Sequence, residues 1–252
     1  MKTLYTLTLL LLPLSAFAQP DFETLQKQWV QTLQSGESSS DFYWEGRSFT
    51  YAEIDSSDSG SFIRLVKSQR NPGIKSYKHR RVFRHADDRY LSAGNLITDK
   101  NQLVLLTGWR NVGGNWKKEI DILLTQKSPS SQVDEKRINA LDTEREKWVT
   151  LANQHNPEAH IEVSYTEDAT YFGNGRKSAG RAEIADRYSY MENPNYEVDL
   201  ENEQLWNISE GQVLEVGRYF TGSVRSGDGG IYVILWEKQS NGSWQIALDF
   251  NF

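Results

Sequence analysis

The chain has 252 residues, 28 Lys and Arg against 34 Asp and Glu, no cysteine and 12% aromatic residues. That length leaves room for two small domains that each bury a core, and the missing cysteines exclude disulfides and thiol chemistry. Charge is uneven: residues 19–130 carry +3 and residues 131–252 carry −10, so the second half is a poor surface for nucleic acid.

Residues 1–18 read as a cleavable signal peptide. Lys2 supplies the positive start, Leu4 to Leu14 the apolar run, and Ala16-Phe17-Ala18 a small-x-small cleavage site. The run is too short to span a bilayer comfortably, and no cysteine follows it for lipid attachment. The expected location is secreted or periplasmic, with no membrane span after cleavage. Asn207-Ile208-Ser209 and Asn241-Gly242-Ser243 are glycosylation sequons that matter only in a eukaryotic source.

An amphipathic helix opens each half. Phe22, Leu25, Trp29, Val30 and Leu33 recur at helical spacing after Asp21, a capping residue; Ile138, Leu141, Trp148 and Ala152 repeat the pattern, with Arg145 interrupting the stripe. Aromatic strand regions follow at 42–51 and 161–172. A second short helix comes next, built on Phe62, Ile63, Leu65 and Val66 in the first half and on Ile184, Tyr188 and Met191 in the second. Both helices end at an Asn-Pro pair, Asn71-Pro72 and Asn193-Pro194, because the proline ring forbids continuation.

The rest of each half reads as long strands, at 75–85, 88–98, 102–110 and 116–125, then at 196–208, 212–222, 229–239 and 243–251. Turn chemistry separates them, as at Asp99-Lys100-Asn101, Gly227 to Gly230 and Asn241-Gly242. Lys127 to Ser131 is polar and proline-containing. It sets the expected boundaries: 19–126 for the first domain, 127–133 for the linker and 134–252 for the second domain.

The halves repeat one pattern. Trp109 and Trp116 lie 7 residues apart, Trp236 and Trp244 lie 8 apart, and Asp121 and Asp249 each follow the second tryptophan by 5. Such self-similarity implies two related domains. The layout is α+β, with helices on one face of each sheet. Ile231 to Trp236 is apolar on both faces, so its sheet expects helices on one side and a sister domain or second chain on the other.

The second half resembles the nuclear transport factor 2-like superfamily, which includes ketosteroid isomerases and SnoaL-type polyketide cyclases. The resemblance is carried by Trp148, Tyr165 to Thr170, Gly180 to Ile184, Gly217-Arg218-Tyr219, Tyr232 to Trp236, and Gly242 to Asp249. The first half matches through its helix, Asn71-Pro72, Gly94 and the Trp109 to Leu124 hairpin, and lacks a counterpart of Glu167-Asp168-Ala169. The resemblance implies tandem cystatin-like cones, each a curved antiparallel sheet wrapped over helices, with the first copy diverged. Its enzymes place a carboxylate base in the cone, and in the isomerase-like branch that residue would fall near Gly173, where this chain has none.

Candidate site residues follow from chemistry and position. Tyr165, Tyr171, Tyr188, Trp206, Tyr219 and Trp236 are expected pocket aromatics, with Asp249 as a pocket acid or as the partner of a cross-strand base such as Arg218. Trp244, Ile246, Leu248 and Phe250 are expected on one strand face and Asp249 on the other. Asp168 is either a turn-capping residue or a catalytic acid. His79, Arg81, Phe83 and His85 alternate onto one face of a basic strand that also holds Lys75, Lys78, Arg80 and Arg84, a solvated edge or an anion and proton site. His155 and His160 lack further ligands for a metal, the glycines at 173, 175 and 180 match no phosphate loop, and no cofactor is expected.

Three functional readings remain open at this point. One is a non-catalytic exported module binding a small apolar or aromatic ligand. The second is an acid–base enzyme of isomerase, cyclase or dehydratase type on such a molecule. The third is an assembly module with vestigial pockets, as an internal pseudo-dimer or a homodimer.

Overall fold

The computed structural model describes residues 20–53, 73–222 and 228–252. The expected signal peptide, the expected helix on Phe62 to Val66, the Asn71-Pro72 pair and the start of the expected Gly227 turn lie outside the described residues.

Helix α1 (Phe22–Ser35) starts where Asp21 caps it, its Oδ1 accepting the Thr24 N–H at 3.0 Å, and stops at Gly36, whose φ of 75° suits glycine. Its buried stripe of Trp29, Val30 and Leu33 packs on Leu96, Leu105 and Leu123. Helix α2 (Glu135–Ala152) is capped by Asp134 in the same way. A third helix, α3 (Pro157–Ser164), occupies part of the segment read as strand from 161. Asn156 caps it and Pro157 takes the first helical position, where its missing N–H costs nothing. A fourth, α4 (Gly180–Arg187), runs into a 3-10 turn at Ser189–Glu192.

Five strands make the first sheet: β1 (Phe49–Glu53), β2 (Ile74–Ala86), β3 (Arg89–Thr98), β4 (Gln102–Val112) and β5 (Asn115–Thr125), in the order β1-β5-β4-β3-β2. Six make the second: β6 (Tyr165–Gly173), β7 (Arg176–Ala179), β8 (Val198–Ser209), β9 (Gln212–Thr221), β10 (Gly229–Lys238) and β11 (Trp244–Asn251), in the order β7-β6-β11-β10-β9-β8. Both sheets are mixed rather than purely antiparallel, because β1 joins β5 and β6 joins β11 in parallel. The architecture is α+β, as expected.

Each sheet has a helix face and a sheet face. On β10, Tyr232, Ile234 and Trp236 join the helices, while Ile231, Val233 and Leu235 share one buried cluster with Leu91, Leu106 and Ile122 of the first sheet. Phe49 stacks on Phe172 across this layer at 5.2 Å. The approach is close at Gly108, where a Cβ would lie 3.2 Å from Phe252 and 3.3 Å from Phe250. The basic strand β2 lies at the sheet edge, with Lys75, Lys78, Arg80, Arg81 and Arg84 exposed.

Candidate functional site

One extra residue builds the site. Along β10 and β11, Leu235 pairs with Leu248 but Trp236 pairs with Ile246, which leaves Ala247 as a bulge. A bulge reverses the alternation of faces. Ile246 and Asp249 therefore share the helix face, while Leu248 and Phe250 turn to the other sheet. The expected grouping of Ile246 with Leu248 is thereby corrected.

Asp249 opens onto a cavity of about 410 Å³ between the sheet and the segment from α4 to the 3-10 turn. The walls are aromatic: Trp148, Tyr171, Tyr188, Tyr196, Tyr219 and Tyr232. Tyr190, 52% exposed, and Arg187 also line it. Arg187 donates to the Gly173 carbonyl at 3.2 Å and lies 5.8 Å from the Tyr171 ring.

Two tyrosines hold the carboxylate. The Tyr165 and Tyr188 hydroxyls each donate to Asp249 Oδ2 at 2.6 Å. Tyr165 sits behind the cavity wall, where the Trp148 Nε1–H donates to its oxygen at 3.4 Å, and the Asn251 amide donates to Tyr188 at 3.2 Å. No hydrogen bond reaches Oδ1 from the described residues. Burial pushes the Asp249 carboxyl up to about 6, against the lowering effect of the two hydroxyls. The same burial, with the charge of Asp249, holds both phenols well above their ordinary value, so they act as donors.

His160 lies just behind. It is fully buried, its ring 4.6 Å from that of Trp148, and neither ring nitrogen has a hydrogen-bond partner. Burial lowers its pKa to about 4, so it is neutral at pH 7. Beneath the cavity, Glu215 accepts from Arg145 at 2.7 Å, Tyr232 at 2.6 Å and Trp236 at 2.7 Å. Arg145 therefore breaks the apolar stripe of α2 because it neutralises a buried glutamate.

The first half repeats the bulge and fills the space. Gly108 pairs with Ile120 but Trp109 with Lys118, leaving Glu119 extra and placing Lys118 beside Asp121. Tyr43 bridges Lys118 in parallel, just as Tyr165 bridges Ile246. The Tyr43 hydroxyl donates to Asp121 Oδ2 at 2.7 Å. Asp121 also receives Lys118 Nζ at 3.1 and 3.2 Å and the Thr107 hydroxyl at 2.5 Å. Lys118, with no exposed surface, lies 3.4 Å from the centroid of the Trp29 ring. Burial lowers its pKa to about 8, against the pull of Asp121.

The cavity gathers Tyr171, Tyr188, Tyr219 and Asp249 of the expected set, with Tyr165 one layer behind. Trp236 packs under the floor on Glu215, and Trp206 lies between the sheets against Phe83. Arg218 does not pair with Asp249; its guanidinium bonds to Glu203. Asp168 is exposed on β6 rather than in a turn, accepts the Thr166 hydroxyl at 3.1 Å and does not line the cavity. At Gly173 the space for a side chain is taken by the Tyr171 hydroxyl, 2.5 Å from where a Cβ would stand.

The histidine stripe of β2 does not form. Arg80 is bulged between His79 and Arg81. His79 stays with Tyr77 on the helix face, Arg81 and Phe83 turn toward the second sheet, and His85 stacks on Phe252 at 5.7 Å. Tyr190, Tyr196 and Arg187 were missed as lining residues. Their signal was a cluster of tyrosines around Asn193-Pro194, which periodicity does not orient.

No family model matches the chain, and neither does any curated protein sequence. Solved structures do match. A ketosteroid isomerase-like protein from Erwinia carotovora atroseptica is similar over 47% of this chain and 96% of its own, at 19% identity and a TM-score of 0.38. A domain of unknown function with a cystatin-like fold from Nostoc punctiforme is similar over 47% and 78%, at 15% identity and a TM-score of 0.40. An NTF-2 like protein of unknown function from Shewanella oneidensis is similar over 46% and 96%, at 20% identity and a TM-score of 0.37. Each of these likenesses spans less than half of this chain.

Proposed function

We propose that the second cone is a binding site for one small apolar or aromatic molecule carrying a polar group, with Asp249 as the polar anchor. The observation that carries this reading is the aromatic cavity of about 410 Å³ with a buried carboxylate facing it. Cavities of a few hundred Å³, mostly apolar with few placed polar groups, are the usual form of small-molecule sites. Binding beside Trp148 changes tryptophan emission. Titration with small aromatic compounds tests this: saturable quenching that Trp148→Phe diminishes supports the site, and no quenching or thermal shift by any compound refutes it.

A second reading is an acid–base enzyme on the same class of molecule, with Asp249 as the base. It is favoured by the carboxyl pKa of about 6, near the range in which a general base works at neutral pH. A turnover whose pH profile disappears in Asp249→Asn would select it over simple binding.

Two architectural proposals accompany the site. The chain is a tandem duplication acting as an internal pseudo-dimer, supported by the matched bulges and by the apolar layer that the two sheets share. A solution mass of one chain supports it, and a stable homodimer argues against it. The amino-terminal segment exports the protein; its cleavage near Ala18 in a secretion assay is the test.

A further inference from the structure

We propose that the second cone takes a small organic amine, whose ammonium group sits against Asp249 and the Trp148 ring in the place that the chain's own Lys118 fills in the first cone. The proposal rests on the binding reading above and names the ligand class.

The two cones form a matched pair at this position. Asp121 pairs across its hairpin with Thr107, and Asp249 with Ile234; Trp109 pairs with Lys118, and Trp236 with Ile246. A tyrosine donates to Oδ2 in both, at 2.7 Å from Tyr43 and 2.6 Å from Tyr165. In the first cone Oδ1 also receives Lys118 Nζ at 3.2 Å and the Thr107 hydroxyl at 2.5 Å. Isoleucines replace both donors in the second. The lysine bridges both oxygens of Asp121, at 3.1 Å from Oδ2 and 3.2 Å from Oδ1. Asp249 keeps the tyrosine on Oδ2, has the Tyr188 hydroxyl there in place of the ammonium, and has lost every Oδ1 partner among the described residues.

The vacated side of Asp249 faces rings. In the first cone the ammonium is caged, 3.4 Å from the Trp29 centroid and 5.6 Å from those of Tyr43 and Trp109. In the second, Trp148 on the corresponding helix and Tyr188 line the cavity with Asp249. Aromatic faces attract cations through their quadrupole, and a buried carboxylate gains most from a charge-assisted donor. A neutral ligand satisfies only a hydrogen bond, and an anion meets the carboxylate. Arg187, the cation that lines the cavity, is held by the Gly173 carbonyl and the Tyr171 ring. No ion pair joins it to Asp249 among the described residues.

The test is calorimetric titration of the purified chain with three probes of one shape: 2-phenylethylamine, 2-phenylethanol and phenylacetate. The amine is expected to bind at least tenfold more tightly than the alcohol, with phenylacetate weakest. Asp249→Asn should bring the amine to the level of the alcohol, and Ile246→Lys, which supplies an internal ammonium, should abolish amine binding. If Ile246→Lys does not fold, Asp249→Asn decides. Equal binding of amine and alcohol, or preference for phenylacetate, overturns the amine proposal and leaves the binding reading intact. Absence of binding by all three overturns both.

Discussion

Asp121 and Asp249 stand at one position of two similar hairpins, yet their surroundings differ in kind. Asp121 is closed in by a lysine ammonium, a threonine and a tyrosine. Asp249 has two tyrosine hydroxyls on one oxygen and a cavity before it. Burial is the same for both, at 0% and 2% exposure, so burial alone does not make a site. What differs is whether the chain itself satisfies the charge. A fully paired carboxylate is structural, whereas one left half-paired beside an open space is available for chemistry.

The largest expected effect comes from breaking the closed pair. Lys118→Met leaves Asp121 as an uncompensated buried charge and should cost about 3–5 kcal/mol in urea unfolding. Adding Asp121→Asn should restore most of that loss. A cost below about 1 kcal/mol for the single variant would show that the first cone does not depend on its ion pair.

The open carboxylate should behave in the opposite way. Its folded pKa, about 6, lies above the ordinary 3.8, so its contribution to stability is present below pH 3.8 and is lost as pH rises to 6. Asp249→Asn removes that loss and should stabilise the protein at pH 7 by about 3 kcal/mol, at roughly 1.4 kcal/mol per pKa unit. At pH 4 the gain should vanish. Paired unfolding curves at the two pH values check this.

His160 titrates against Asp249. Its folded pKa, about 4, lies below the ordinary 6.5, so its contribution is present above pH 6.5 and is lost as pH falls toward 4. The two linkages offset each other, leaving the wild-type pH dependence shallow between 4 and 6. His160→Phe should expose the Asp249 slope by removing an acid penalty of about 3 kcal/mol. Thermal melts from pH 4 to 7 measure it; an unchanged profile would mean that His160 is solvated.

A smaller effect is expected at Thr107. Thr107→Val takes one donor from Asp121 and the acceptor of the Gln26 amide, 3.0 Å away. It should cost about 1–3 kcal/mol in urea unfolding. Ile234→Val at the matched place removes only a methylene and should cost about 0.5–1.5 kcal/mol.

Much of the fold was legible because its signals are local. Strand ends at Asp99-Lys100-Asn101 and Asn241-Gly242 follow from turn chemistry, and the caps Asp21 and Asp134 lie next to their helices. Bulges are not local. Nothing in Trp244 to Phe250 reveals that Ala247 stands outside the ladder, yet that residue decides which face Asp249 shares. The same holds for Arg80, whose bulge separates His79 from Arg81. The aspartate pair was visible as a repeat, but its partners lie far along the chain, Tyr43 by 78 residues and Tyr165 by 84. Helix α3 had a readable start at Asn156-Pro157, outweighed by the aromatic stretch that follows.

The most direct measurement is the stoichiometry of small-molecule binding by calorimetry, using 2-phenylethylamine on the wild type and on Val198→Phe, a lining residue of the second cavity. One molecule per chain is expected for the wild type, with binding lost when phenylalanine fills that cavity. Two molecules per chain, or binding that survives Val198→Phe, would contradict the contrast between a closed first cone and an open second one.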